Sequence, residues 1–149
     1  MLLSDQLCFA LYAASRNVTA VYRVALEPLG LTYPQYLVML VLWEHDGLLV
    51  GRIMQLLHLD YGTLTPLVKR LEASGLVLRR PADPPTRRPA DERVVDVRLT
   101  PHGTTLREPA RKVPGIIGKA LGITPDQRDH LRDELLDVSA NVTRHLLEG

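Results

Sequence analysis

The run from Leu59 to Arg80, LDYGTLTPLVKRLEASGLVLRR, leaves this chain few choices of fold. Asp60 stands where its carboxylate can accept from the free N–H groups that open a helix. Gly62, Thr63 and Thr65 occupy the first turns, while Leu64, Leu67, Val68 and Leu71 recur at three- and four-residue spacing. That period puts the apolar residues on one face and leaves Lys69, Arg70 and Glu72 on the others. Gly75 stops the helix, and Leu76-Val77-Leu78 reads as a strand ending in Arg79 and Arg80. A short helix with a hydroxyl-bearing first turn, followed by a basic hairpin, can lie in a DNA major groove and meet base edges.

The flanking segments support the same reading. A helix is predicted from about Ser4 to Leu26, with Leu7, Leu11, Ala14, Val18, Val21 and Ala25 at helical spacing, opened by Ser4 and Asp5 and ended by Pro28 and Gly30. It is apolar on more than one face, so it is expected to pack against a second chain as well as its own. Thr32 with Gln35 makes a capping box before YPQYLVMLVLWEHD, a helix apolar almost all round and therefore central. Val50 to Leu57 forms a further short helix, and His58-Leu59-Asp60 turns into the stretch above, giving a helix-turn-helix pair. After Arg80 the run PADPPTRRPADE is too rich in proline for regular structure. Val95, Val97 and Leu99 then alternate with Asp96 and Arg98 as in a half-buried strand, which completes a wing with Arg87, Arg88 and Arg93 at its tip.

Beyond the wing, Thr100-Pro101 opens a helix that Pro109 and Pro114-Gly115 interrupt or bend. Thr124 and Gln127 form a second capping box. The helix behind it carries Leu131, Leu135, Val138, Val142 and Leu146 in one long stripe, the usual mark of a helix that meets another helix. The expected fold is mainly α with a small two- to three-stranded β wing. Residues 1–30 and 101–149, approximately, are assigned to dimerisation and about 31–100 to DNA binding.

A chain of 149 residues suits one domain, or one domain with a dimerisation extension. The net charge of +1 does not itself point to nucleic acid, but its distribution does. From Lys69 to Arg98 there are eight basic and five acidic residues, a surplus where a wing would touch phosphates. The single cysteine, Cys8, excludes an intrachain disulfide. The N-terminus lacks signal-peptide character, and YLVMLVLW falls short of the roughly 18 apolar residues of a membrane span, so a cytoplasmic protein is expected. His45, His58, His102, His130 and His145 lack ligand-like spacing, and no phosphate-cradling glycine loop occurs; no metal or cofactor is expected.

Five runs carry a resemblance: LCFALYAASR around Cys8, LGLTYPQYLVMLVLWE from Leu29, LDYGTLTPLVKRLEASGLV from Leu59, DERVVDVRLTPHG from Asp91, and VPG at Val113–Gly115, the first two going beyond winged-helix patterning. In these the sequence resembles the MarR family of winged helix-turn-helix repressors, and within it the OhrR-type branch that senses organic hydroperoxides. The resemblance implies a homodimer on a palindromic operator in double-stranded DNA, its recognition helices roughly 34 Å apart. It implies contacts from Tyr61, Thr63, Thr65, Lys69 and Arg70, and from Arg87 and Arg88 on the wing. Arg93 is implied to reach the minor groove with Asp91 buttressing it. Two departures stand out: Tyr61, where the family run more often has a small residue such as serine, and a wing loop, Pro81–Pro89, longer and richer in proline than usual.

The resemblance also assigns a sensor. Taken alone, a lone cysteine is more often a small buried hydrophobe, and tyrosines are more often ordinary core. Against that, a helix N-terminus favours the reactive thiolate, and the run around Cys8 matches the branch. By resemblance Tyr22 and Tyr33 reach Cys8 across the dimer interface, with Tyr12 packed close by and Phe9 and Tyr36 helping to form an apolar pocket for organic peroxides. Without a second cysteine, an oxidised Cys8 is capped by a low-molecular-weight thiol or oxidised further. Two alternatives remain open: a MarR-type repressor released by a phenolic ligand, with Cys8 a bystander, and, much less compatible with the wing, a thiol peroxidase.

Overall fold

The computed structural model describes residues 2–81 and 94–148. Arg87, Arg88, Asp91 and Arg93 lie outside the described residues. A 3-10 turn, Leu3–Asp5, precedes α1 (Leu7–Leu26), followed by α2 (Tyr33–Glu44), β1 (Leu48–Leu49), α3 (Val50–Leu57), α4 (Tyr61–Ala73), β2 (Val77–Pro81) and β3 (Val95–Leu99). The chain closes with α5 (Pro101–Thr105), α6 (Arg107–Ala110), α7 (Val113–Leu121) and α8 (Pro125–Glu148).

Four of the eight α-helices among the described residues, α2, α4, α5 and α8, start on a side-chain cap. Thr32 Oγ1 accepts from Gln35 N (3.4 Å) and Gln35 Oε1 accepts from Thr32 N (2.9 Å), the capping box expected from sequence. Thr124 and Gln127 repeat it ahead of α8. The opening helix differs from expectation. Ser4 Oγ donates to Asp5 Oδ1 within the preceding turn, so neither residue caps the helix, and α1 starts later, at Leu7, without a side-chain cap. Its end does follow the sequence: a short turn through Pro28 leads to Gly30, which takes a left-handed φ of 65°.

The sheet is antiparallel with the order β1-β3-β2, which gives the wing a third strand, Leu48–Leu49, paired with Val97 and Asp96. Val77 and Val97 bury completely against one core that also holds Leu26, Val38, Met39, Leu42, Ile53, Leu64, Leu71, Val113 and Ile117. That core spans both assigned regions: the end of α1 and Val113 and Ile117 of α7 contribute to it, and α1 packs along α7.

One junction ties the winged region to the helices beyond it. Trp43 Nε1 donates to the buried Gly103 carbonyl (2.9 Å). Thr100 Oγ1 accepts from Gly103 N (3.0 Å) and donates to Gly75 O (2.6 Å), and Thr100 N donates to Leu76 O (3.1 Å). α5 therefore sits so close to β2 that a Cβ on Gly103 would stand 2.0 Å from the Leu76 carbonyl oxygen. Only glycine fits there. Among the described residues no buried side-chain polar atom lacks a hydrogen-bond partner.

Candidate nucleic-acid interface and candidate sensor

α4 is positioned by its cap and its apolar face. Asp60 Oδ1 accepts from Thr63 N at 2.7 Å, and Leu64, Leu67, Val68 and Leu71 are buried. His58, exposed and left-handed at φ 52°, closes α3 so that the turn into α4 is tight. The opposite face of α4 carries Gly62, Thr63, Pro66, Lys69 and Arg70, all exposed. Lys69 and Arg70 have no ion pair among the described residues.

Of the predicted contact residues on this helix, Thr63, Lys69 and Arg70 share the outward face. Thr65 and Tyr61 fall on its flank instead: Thr65 borders a small cleft with Val50, Val68, Arg79 and Val95, and Tyr61 packs partly against the core. Sequence reasoning passed over Pro66, which the helical period itself places between Thr63 and Lys69.

The basic surplus of the wing needs correction. Arg79 shares the face of β2 that carries Val77 and pairs across the strand with Val97. It turns toward α4, donating from Nε to Glu72 Oε2 (2.8 Å) and from its backbone N–H to Glu72 Oε1 (3.3 Å). Arg98 is likewise engaged by Asp96. Among the described residues of this segment, that leaves Lys69, Arg70 and Arg80 as uncommitted outward charges.

The residues expected to form the sensor fall into two separate groups. Cys8 is exposed in the first turn of α1, which does not fit the buried-hydrophobe reading. Tyr12, one turn on and 61% exposed, shares its face, and the Arg16 guanidinium lies 5.5 Å from the Tyr12 ring centroid. Arg16 was not anticipated, although its position four residues past Tyr12 would have found it. Phe9 is exposed beside them.

Tyr22 and Tyr33 form the second group, with rings stacked 4.1 Å apart, and Tyr36 follows at 6.0 Å from Tyr22. Burial is the main cause that pushes the Tyr22 phenol up to about 12; the neighbouring phenols and the hydrogen bond that Tyr22 donates to Tyr33 add to it. Burial also raises Tyr33, and accepting that bond draws it partly back. All three phenols therefore keep their protons at neutral pH. Fourteen helical residues separate Cys8 from Tyr22, about 21 Å along the axis. Within one chain the two groups do not meet.

A third feature is a cavity of about 510 Å³ between α2 and the α6–α7 segment, lined by Tyr36, Leu40, Trp43, Glu44, Arg107, Ala110, Arg111 and Pro114. Among the described residues no cluster of His, Cys, Asp and Glu could hold a metal ion, and no helix is long and apolar enough to cross a membrane.

Residues 20–108 match the family model for the transcriptional regulator SarA/Rot. That range contains the helix-turn-helix and the antiparallel wing described above. The chain belongs to the MarR/SarA family of winged helix-turn-helix transcriptional regulators. The organic hydroperoxide resistance transcriptional regulator of Bacillus subtilis (strain 168) is 45% identical over 89% of this chain and 84% of its own length. The HTH-type transcriptional regulator TtmR of Methylorubrum extorquens (strain PA1) is 50% identical over 89% of this chain, which spans 65% of that longer relative. The crystal structure of overoxidized AbfR bound to DNA, 35% identical, superposes with a TM-score of 0.72 over 94% of each chain. A MarR/SarA regulator of this kind binds DNA to control transcription and is not an enzyme.

Proposed function

We propose that this MarR/SarA regulator is a homodimeric repressor of the OhrR type, which holds a palindromic operator in the cytoplasm and releases it when an organic hydroperoxide oxidises Cys8. The observation that carries this reading is the separation of the two sensor groups. Cys8 and Tyr12 lie exposed at one end of α1, and the Tyr22–Tyr33 pair lies at the other. A second, antiparallel copy of α1 brings one chain's sulfur to the other chain's phenols. The uncovered apolar stripe of α8 supports such a second copy, with Leu135, Val138, Val142 and Leu146 all exposed. In this arrangement residues 1–30 and 101–149, approximately, pair the two chains, and about 31–100 present α4 and the wing to DNA.

The chemistry balances without a cofactor. The Cys8 thiolate attacks the distal oxygen of the hydroperoxide, an S–O bond forms as the O–O bond breaks, and the alkoxide leaves and takes up a proton as an alcohol. Sulfur is oxidised by two electrons to the sulfenic acid, which a low-molecular-weight thiol converts to a mixed disulfide with loss of water, or which a second peroxide carries to the sulfinic acid. Tyr33 donates its O–H to the partner's thiolate, and Tyr22 holds Tyr33 in place. Oxidation adds bulk and removes this bond. A coupling of about 1–3 kcal/mol to the spacing of the two α4 helices is enough to lower operator occupancy. Lys69, Arg70 and the wing residues Arg87, Arg88, Asp91 and Arg93 serve the DNA side, with Thr63 facing the bases and Tyr61 and Thr65 at the edge of the contact.

The test is an operator mobility-shift assay with reduced and cumene hydroperoxide-treated protein, followed by intact mass. Wild-type protein is expected to release DNA as oxygen or thiol adducts appear on Cys8, and Cys8→Ser protein to stay bound. Release of the Cys8→Ser protein at the same peroxide dose would sink the mechanism. The cavity beside Tyr36 and Trp43 favours a second reading, release by a small aromatic acid whose carboxylate meets Arg107 or Arg111. Salicylate-like compounds that displaced both proteins equally would establish it.

A further inference from the structure

We propose that Pro66 and the Gly62 carbonyl together read one A·T base pair in each half-site, a specificity element built from a missing backbone hydrogen bond. The inference rests on α4 being the helix that enters the major groove. Pro66 lies inside α4, in its second turn, and is exposed on the face shared with Thr63, Lys69 and Arg70. Having no N–H, it cannot donate to the carbonyl four residues earlier, and its ring crowds that carbonyl outward. That carbonyl belongs to Gly62, itself an exposed residue. The result is an acceptor and an apolar ring side by side, one turn of helix apart, in a region otherwise lined by Thr63 and the two cations.

The same pairing makes little sense as a device for stability. A proline in a helix interior is unfavourable by about 3 kcal/mol relative to alanine, and here the residue is exposed. The edge of an A·T pair in the major groove offers what the pairing lacks: the adenine N6 amine, which donates, and the thymine C5-methyl, which is apolar. A G·C pair presents no methyl. Lys69 and Arg70, a turn further on, then supply attraction to phosphate that does not depend on sequence.

The experiment starts with an operator selected from a random-sequence duplex pool by the reduced full-length protein. Each dT is then replaced singly by dU, which removes the methyl, and each dA by purine nucleoside, which removes the N6 amine. Wild-type protein is expected to lose about tenfold in affinity for both replacements at one base pair of each half-site. Pro66→Ala, a change that favours the helix, should bring the dU penalty at that pair within twofold of none. The same variant returns an N–H to the Gly62 carbonyl and should weaken the amine penalty at that pair as well. A dU penalty that is absent from the wild type, or unchanged in Pro66→Ala at every position, overturns the inference while leaving the repressor reading intact. Salt dependence separates the two: if replacing Lys69 and Arg70 by alanine leaves the salt slope of binding unchanged, α4 is not in the groove and both fail.

Discussion

The winged region and the terminal helices are built to opposite rules. From α2 to β3 most apolar residues are enclosed, α2 and α4 start on bonded caps, and Arg79 beside the core is paired with Glu72. α8 runs for 24 residues without one buried side chain, and α1 buries only Leu26, at its end. Leu7, Tyr12, Val24, Leu146 and Leu147 are each more than half exposed. The winged region closes its core with help from Leu26, Val113 and Ile117 of its own chain; the start of α1 and the length of α8 leave apolar surface bare, which the proposed second chain would cover.

The largest expected effect breaks the completed side. Gly103→Ala drives a methyl into the Leu76 carbonyl, and neither backbone can retreat without releasing Trp43 and Thr100. We expect a loss of about 3–5 kcal/mol, in the range of severe core disruptions, read as a lowered midpoint in urea. A variant as stable as wild type would mean that α5 is free to shift off β2.

Breaking the incomplete side should leave the fold alone. The double variant Leu135→Asp with Val142→Asp alters two exposed positions on α8, so helicity is expected to persist. Sedimentation should report a monomer, and operator affinity should drop by about 100-fold or more as the advantage of linked half-sites is lost. A stable dimer with unchanged operator binding would show that α8 faces water by design.

A smaller effect tests α4 alone. Asp60→Ala removes the acceptor for Thr63 N and should cost about 1 kcal/mol, with operator affinity falling further than stability because the exposed first turn frays. Equal urea midpoints for the two proteins would exclude the cap as a stabilising element.

These comparisons also explain what could be read from sequence. Caps were legible because each is a contract within four residues: Thr32 with Gln35, Asp60 with Thr63, Thr124 with Gln127. The period of Leu64, Leu67, Val68 and Leu71 named the buried face of α4 for the same reason. The start of α1 was misjudged because Ser4 had a competing local partner in Asp5. The wing's third strand was allowed for, but its residues and the Gly103 junction were hidden because they join residues about fifty or more positions apart, Leu48 with Val97 and Trp43 with Gly103. Arg79 looked like a phosphate contact until strand register turned it inward. The family resemblance supplied the pairing of Cys8 with distant tyrosines, which no local period could reveal.

The smallest expected effect probes the seam between the two regions, where Tyr22 of α1 stacks on Tyr33 of α2. With its folded value pushed up to about 12, above the usual phenol value of about 10, Tyr22 binds its proton more tightly in the native state than in the unfolded chain. Its contribution is therefore fully present below about pH 10 and is lost as pH rises through about 12. Denaturation of wild type and Tyr22→Phe should show a constant difference at neutral and mildly alkaline pH, with the wild type losing its own share first inside that window. Tyr33→Phe should behave differently. It removes the hydroxyl proposed to reach the partner's sulfur, so it is expected to slow peroxide-driven release at neutral pH, where Tyr22→Phe, leaving the Tyr33 hydroxyl in place, has the milder effect. Equal slowing by both variants would mean that the two phenols address the partner's sulfur side by side and not in series.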